Sequence, residues 1–294
     1  MRTQAKFETS SNSWGSSGMT DASIPRKSAV SPARARKRLL SRVAPVATVA
    51  VCLLAWEGAV RGLNVPIYML PPRSMVLHEV FFQYSYFLKN AIATTWAIML
   101  GFGLAAAIGV PMATLMVYSK TFSEAIHPVL ITAQVLPKVA LAPLFIVWFG
   151  FGLLPKVVMT FLIAFFPIVI DTLTGLMAVR PESLMLIRSM GGNRWQSFWN
   201  VRLPTALPNM FAGFKIAMTF AVVGAIVAEF VASDSGLGYV LVEARANLAT
   251  VRVFAAITWL IAMGFAFYYM VEFAERAVLK GRSRKHGHEL GAGL

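Results

Sequence analysis

The chain has 294 residues, 57% of them hydrophobic and only 14% charged, against roughly a quarter charged in soluble domains. That supply cannot wet a globular surface, so a soluble enzyme and a disordered protein are both excluded, and the long apolar blocks point to lipid as the solvent. The 27 Lys and Arg outnumber the 13 Asp and Glu for a net charge of +14. A nucleic-acid binder would gather that excess on one folded face; here it lies in tails and loops between apolar blocks, so no nucleic-acid partner is expected.

Residues 1–42 read as a disordered basic tail: Ser10 to Thr20 is rich in Ser, Gly and Asn, and Arg26, Lys27, Arg34, Arg36, Lys37, Arg38 and Arg42 follow. A transit peptide or secretory signal also starts basic, but no obvious small-residue cleavage site follows, and the rest of the chain keeps spanning. Crossing the hydrocarbon layer takes about 20 apolar residues of helix, and six segments qualify. The first, about Val43 to Val60 and interrupted by Glu57, makes up 43–84 together with an outer loop. The second lies between Lys89 and Lys120. The third, about Phe122 to Gly150, is irregular, with Pro128, Pro137, Lys138 and Pro143. The fourth runs from about Leu153 to Val179, the fifth from Met210 to Ala232, and the sixth from Val253 to Val271. Amphipathic helix continues toward Lys280, and 279–294 is a second basic tail. Strand alternation appears nowhere at useful length, so no barrel is expected. The fold class is an all-α integral membrane protein with six transmembrane helices.

Charge sets the orientation. The amino tail, the 180–208 loop (Arg180, Arg188, Arg194 and Arg202 against Glu182) and the carboxyl tail are basic. In a six-span scheme they share one side, which the positive-inside rule makes cytoplasmic. The expected location is a bacterial inner membrane, multi-pass, with both termini cytoplasmic. Cys52 is the only cysteine, and His78, His127, His286 and His288 have no ligand spacing between spans, so neither a disulfide nor a metal site is expected. No Gly-Lys-Ser/Thr phosphate loop occurs, so the chain lacks its own nucleotide cradle, and no cofactor is implied.

The 180–208 loop is the most informative stretch. Pro181 and Glu182 suit a helix start, and Leu184, Ile187 and Met190 recur on one face. Gly191-Gly192 lets the chain leave that helix, and Asn193 can cap a second one carrying Trp195, Phe198 and Trp199. Pro204 and Pro208 stop it before span five. Such an elbow either lies along the membrane interface or docks into a cytoplasmic partner and passes force to the spans.

Here the chain resembles the permease subunits of binding-protein-dependent ABC importers with the type I (MetI-like) fold. Their signature loop reads Glu-Ala-Ala, three residues, Gly, nine residues, Ile, one residue, Leu-Pro; Gly191, Val201, Leu203 and Pro204 fall at the last four positions, while Met185, Leu186 and Ile187 replace Glu-Ala-Ala. Leu136-Pro137-Lys138-Val139-Ala140-Leu141-Ala142-Pro143-Leu144, Trp148-Phe149-Gly150 and Gly236-Leu237-Gly238-Tyr239 resemble the branch handling nitrate, sulfonates, taurine and vitamin precursors. The resemblance covers about residues 85–278. It implies a transport subunit, not an enzyme, working with a separate ATPase pair, an extracytoplasmic substrate-binding protein and, since one chain offers one signature loop to a paired ATPase, a second permease copy, here expected to be a homodimer. The implied ATPase-docking loop comprises Glu182, Leu184, Ile187, Gly191, Arg194, Trp195, Phe198, Val201, Leu203 and Pro204.

Ionisable groups inside spans are costly and usually face the bundle or a wet cavity. Lys138, between two prolines of span three, Asp171 in span four and Glu229 near the outer end of span five are the candidates for a translocation path. Structural pairing, such as Lys138 with Asp171, is the alternative, and Glu57 can reach the interface. Gly101, Gly103, Ala105, Ala106, Ala107 and Gly109 crowd one stretch of span two and permit close helix approach. An ion-coupled secondary transporter using Asp171 or Glu229 is the rival reading; it predicts broken helices in both halves, whereas the prolines concentrate in span three.

Overall fold

The computed structural model describes residues 32–231 and 233–291. The expected amino tail therefore lies outside the described residues as far as 31, and the last three residues of the carboxyl tail do too. The chain divides into two units, Met1–Cys52 and Leu53–Leu294. Helix α1 is Pro32–Gly62. It is followed by α2 (Arg73–Phe82), α3 (Tyr84–Tyr118), α4 (Lys120–Val135), α5 (Ala142–Phe149), α6 (Leu153–Met177), α7 (Pro181–Ser189), α8 (Arg194–Ser197), α9 (Leu203–Val231), α10 (Leu237–Ala246) and α11 (Thr250–Gly291). A 3-10 turn, Lys138–Leu141, leads into α5, and a π-helical turn, Phe198–Arg202, joins α8 to α9. Among the described residues there is no strand.

Four of these stretches are long and apolar enough to cross a membrane: α3, α6, Arg194–Val231, and Thr250–Lys280 within α11. The irregular third segment is two pieces, Lys120–Val135 and Lys138–Phe149, bent by 84°. Counting that pair as one crossing gives five; the expected first span falls in α1, which is not among them. The bend has a local cause. Leu136 precedes Pro137 and is extended (φ −60°, ψ 132°), the conformation a following proline imposes, and Pro143 then restarts helix at its first turn. Gly150 (φ +72°) and Gly152 (φ +123°) turn the chain into α6, using backbone that side-chain-bearing residues avoid.

Helix α6 packs most extensively against α9 and α3, which also touch each other. Phe87, Ile98, Ile168, Met218 and Leu237 fill the main core. Close approach depends on small residues, as expected for membrane helices. A Cβ at Gly101 would lie 2.5 Å from Thr160 Cβ, and one at Gly224 would lie 3.0 Å from Thr160 Cα. At Gly175 it would meet the Ala206 carbonyl oxygen at 2.9 Å. The crowded stretch of the second span thus serves packing within the chain at Gly101, Ala105 and Gly109, while Gly103 has open space beside it.

Candidate functional site

Three places gather the residues singled out above: an elbow at one end of the bundle, a cleft beside the bend, and a turn at the opposite end.

The elbow is α7 and α8. Pro181 opens α7, Glu182 lies in its first turn and Arg188 in its last, each sign suiting the helix dipole. Gly191 (φ +79°) takes the chain out: its N–H donates to the Arg188 carbonyl at 3.0 Å, and the Gly192 N–H to the Ile187 carbonyl at 2.8 Å. Asn193 then caps α8 as expected. Its side chain accepts from the Gln196 N–H at 2.8 Å, and the Gln196 side chain accepts from the Asn193 N–H at 2.9 Å, a reciprocal capping box. Trp195, Phe198 and Trp199 pack on one another with centroids 5.5–6.3 Å apart.

The presented face differs from the expected stripe. Leu184 and Ile187 are half-buried on the chain's own side, whereas Met190 is 78% exposed. Met185, Leu186, Trp195 and Trp199 share that exposure. Glu182, Gly191 and Arg194 are exposed; Phe198, Val201, Leu203 and Pro204 are half-buried where the elbow passes into α9. The elbow is pinned to the bundle by Arg202, whose guanidinium donates to the Leu176 carbonyl at 3.1 Å and lies 5.5 Å from the Tyr118 ring.

Beside the bend, Gln134, Lys138, Ile163, Phe166, Asp171 and Phe220 line a cleft of about 260 Å³. The Lys138 ammonium donates to the Gln134 carbonyl at 3.3 Å and sits 4.6 Å from the Phe166 ring centroid. Lys138 and Asp171 share this cleft, yet among the described residues no ion pair joins them. Gly213 allows α9 to approach Asp171, since a Cβ there would lie 2.5 Å from Asp171 Cβ.

Glu229 lies elsewhere, in the turn at the opposite end, and is only 1% exposed. Its carboxylate accepts from the Thr94 hydroxyl at 2.9 Å and from the Gly238 N–H at 2.8 Å. Thr94 Oγ1 in turn accepts from the Leu237 N–H at 2.9 Å, and Asn90 Oδ1 accepts from the Gly236 N–H at 2.9 Å. Three successive amides that open α10 are thereby satisfied by side chains of α3 and α9. Gly236 is required twice over: its φ is +114°, and a Cβ would run into the Glu229 carboxylate. Lys156, 3% exposed, completes the turn by donating to the Ser235 carbonyl at 2.8 Å.

Sequence reasoning missed two lysines. Lys156 follows Leu153-Leu154-Pro155 within the first turn of its span, and its position beside Gly152 was the available signal. Lys215, inside α9, pairs with Glu275 of α11 and lies 6.0 Å from the Tyr268 ring; no local pattern announces a partner 60 residues away.

Comparison with known proteins places this arrangement. Residues 100–280 match the family described as binding-protein-dependent transport system inner membrane component. The chain is 30% identical over 250 residues to the formylaminopyrimidine transport permease protein ThiX of Halalkalibacterium halodurans, covering 85% of this chain and all of that one. It is 33% identical to the riboflavin transport system permease protein RibX of Chloroflexus aurantiacus, covering 79% and 88% of the two chains. Against the taurine transport system permease protein TauC of Escherichia coli it is 29% identical, covering 82% and 89%. In fold it is similar to a chain of the inward-facing MetNI methionine ABC transporter, with a TM-score of 0.59 at 18% identity over 66% of this chain and 97% of that one. The chain belongs to the family of inner membrane components of binding-protein-dependent transport systems, and is a multi-pass permease subunit of an ABC importer that carries out no catalysis of its own.

Proposed function

We propose that the elbow of residues 180–208 is where one member of an ATPase pair docks, and that closure of the pair moves α7 and α8 and, through Arg202 and α9, the spans. One observation carries this reading: Met185, Met190 and Trp195 are 67%, 78% and 67% exposed together on α7, the turn that follows it and the capped α8. Isolated apolar side chains need no explanation, but a cluster of large ones at one end fits a buried contact with another protein.

The full scheme has six spans, α1 supplying the first and the bent pair the third, with both termini cytoplasmic. Two copies of the chain enclose the path, which gives each ATPase one elbow, and an extracytoplasmic binding protein delivers solute to the end carrying α10. The solute is a small one, a nitrate-, sulfonate- or taurine-like anion or a vitamin precursor; taurine, formylaminopyrimidine and riboflavin are the compounds named for the relatives. Lys138 and Asp171 meet it in the cleft beside the bend, where unpaired charges belong in water and not in lipid. Glu229 acts as a structural strut for the outer turn.

The test is co-expression with the cognate ATPase and reconstitution into vesicles, comparing the natural chain with Gly191→Ala and Trp195→Ala. Truncating a central aromatic anchor costs about 2 kcal/mol or more of binding, so Trp195→Ala is expected to weaken co-purification at least about 30-fold. Gly191→Ala, strained at φ +79°, is expected to lower solute moved per ATP with membrane insertion intact. Complex formation and uptake that survive both changes would remove the docking assignment, and vesicles holding this chain alone that concentrate solute would establish the ion-coupled reading in its place.

A further inference from the structure

Behind the elbow, on the side facing the bundle, lies a second cleft of about 380 Å³ between α7, α8 and the end of α3. Three arginines line it: Arg188, Arg194 and Arg202. Asn193, Ser197 and Tyr118 add polar groups. Among the described residues none of the ion pairs involves any of these arginines. Arg202 is held in place by the Leu176 carbonyl and the Tyr118 ring, and a guanidinium has five N–H donors in a fixed fork, so most of its donors remain unused. Three cations packed around one space repel each other, and an anion is the simplest neutraliser.

Location narrows the anion. Tyr118 is the last residue of α3, at the point where the charge-free stretch of that span gives way to Lys120, as at a membrane surface. Tyr side chains mark the headgroup level of membranes, and basic pockets between spans at that level take phosphate headgroups. We propose that this cleft is a phosphate site occupied by the headgroup of an anionic phospholipid. Arg202 forms its fixed floor, Arg188 and Arg194 are the movable arms, and the bound lipid wedges the elbow against α3. Inorganic phosphate offers the same chemistry without the acyl chains.

The experiment uses the full chain purified in neutral detergent, where the diffuse field of a charged membrane is absent. Native mass spectrometry measures binding of dioleoylphosphatidylglycerol, with dioleoylphosphatidylcholine as the zwitterionic comparison and inorganic phosphate as competitor. Phosphatidylglycerol is expected to bind tighter than phosphatidylcholine. Removing both arms with Arg188→Gln and Arg194→Gln should weaken it about 30-fold, at about fivefold per arginine. Arg180→Gln, exposed on the same loop but outside the cleft, should change it less than about threefold on the same scale. Retention of phosphatidylglycerol against millimolar phosphate assigns the site to lipid; displacement by phosphate at that level assigns it to the free anion. Equal binding by the natural chain and the double variant, or an equal loss from Arg180→Gln, overturns the proposal. A readout that needs no variant is phenylglyoxal labelling of Arg188 and Arg194 in the natural chain, which phosphatidylglycerol should slow and phosphatidylcholine should not; equal slowing by both lipids also overturns it.

Discussion

Replacing Glu229 by Ala tests whether a single carboxylate holds the turn that opens α10. Glu229 accepts from Thr94 and from the Gly238 N–H with almost no exposure of its own. A buried hydrogen-bond donor left without its partner costs about 1–3 kcal/mol. Two such donors at about 1.5 kcal/mol each predict that opening of the turn becomes easier by about 3 kcal/mol. Amide exchange of a locally opening segment tracks that free energy, so peptides covering Leu237 and Gly238 should exchange about 150-fold faster in Glu229→Ala. Peptides from the middle of α6 should be unchanged. Hydrogen–deuterium exchange in lipid nanodiscs reads both. Glu229→Gln keeps one acceptor oxygen but turns an amide donor toward one of the two donors, so it should fall between the natural chain and the alanine variant. If Leu237 and Gly238 remain as protected in Glu229→Ala as in the natural chain, the carboxylate is not what holds the turn, and the hydrogen-bond argument fails.

Gly175→Ala places a Cβ 2.9 Å from the Ala206 carbonyl oxygen; backbone cannot swing aside, so the α6–α9 contact should lose about 1–3 kcal/mol, seen as a lower midpoint in detergent thermal unfolding. Lys215→Met and Glu275→Leu should each lower that midpoint by leaving the other charge unpaired, while the double variant recovers most of the loss; additive losses would show that the two residues do not act as a pair. Lys138→Ala should reduce initial uptake about tenfold or more, the worth of one charge-assisted contact, at an unchanged amount of inserted protein. Equal uptake per inserted molecule would take Lys138 out of the path.

What the sequence makes legible here follows the range of the forces involved. Apolar length and proline position are local, so the long spans, the break at Pro137 and the Asn193 cap can be read directly from the chain. The face that a short helix presents is not local. Leu184, Ile187 and Met190 form a stripe by spacing, yet the chain turning back at Gly192 lies against Ile187, and Leu184 and Ile187 are half-buried while Met190 faces outward with Met185 and Leu186. The same limit explains the in-span charges. Glu229 reads as a costly carboxylate, but the donors that satisfy it come from Thr94, 135 positions earlier, and from an amide nine positions later. Lys138 and Asp171 do reach one cleft, without the direct bond that their opposite signs suggest.

Thr160 of α6 meets a glycine of each neighbouring helix: a Cβ at Gly101 of α3 would collide with its Cβ at 2.5 Å, and one at Gly224 of α9 would press on its Cα at 3.0 Å. Helix α3 cannot slide lengthwise past α6 without climbing over that side chain, and α9 lies close against the same turn of backbone, so the contact acts like a hinge pin. Under the docking proposed above, a push arriving at the end of α9 would reach α6 as a tilt about this contact and not as a slide.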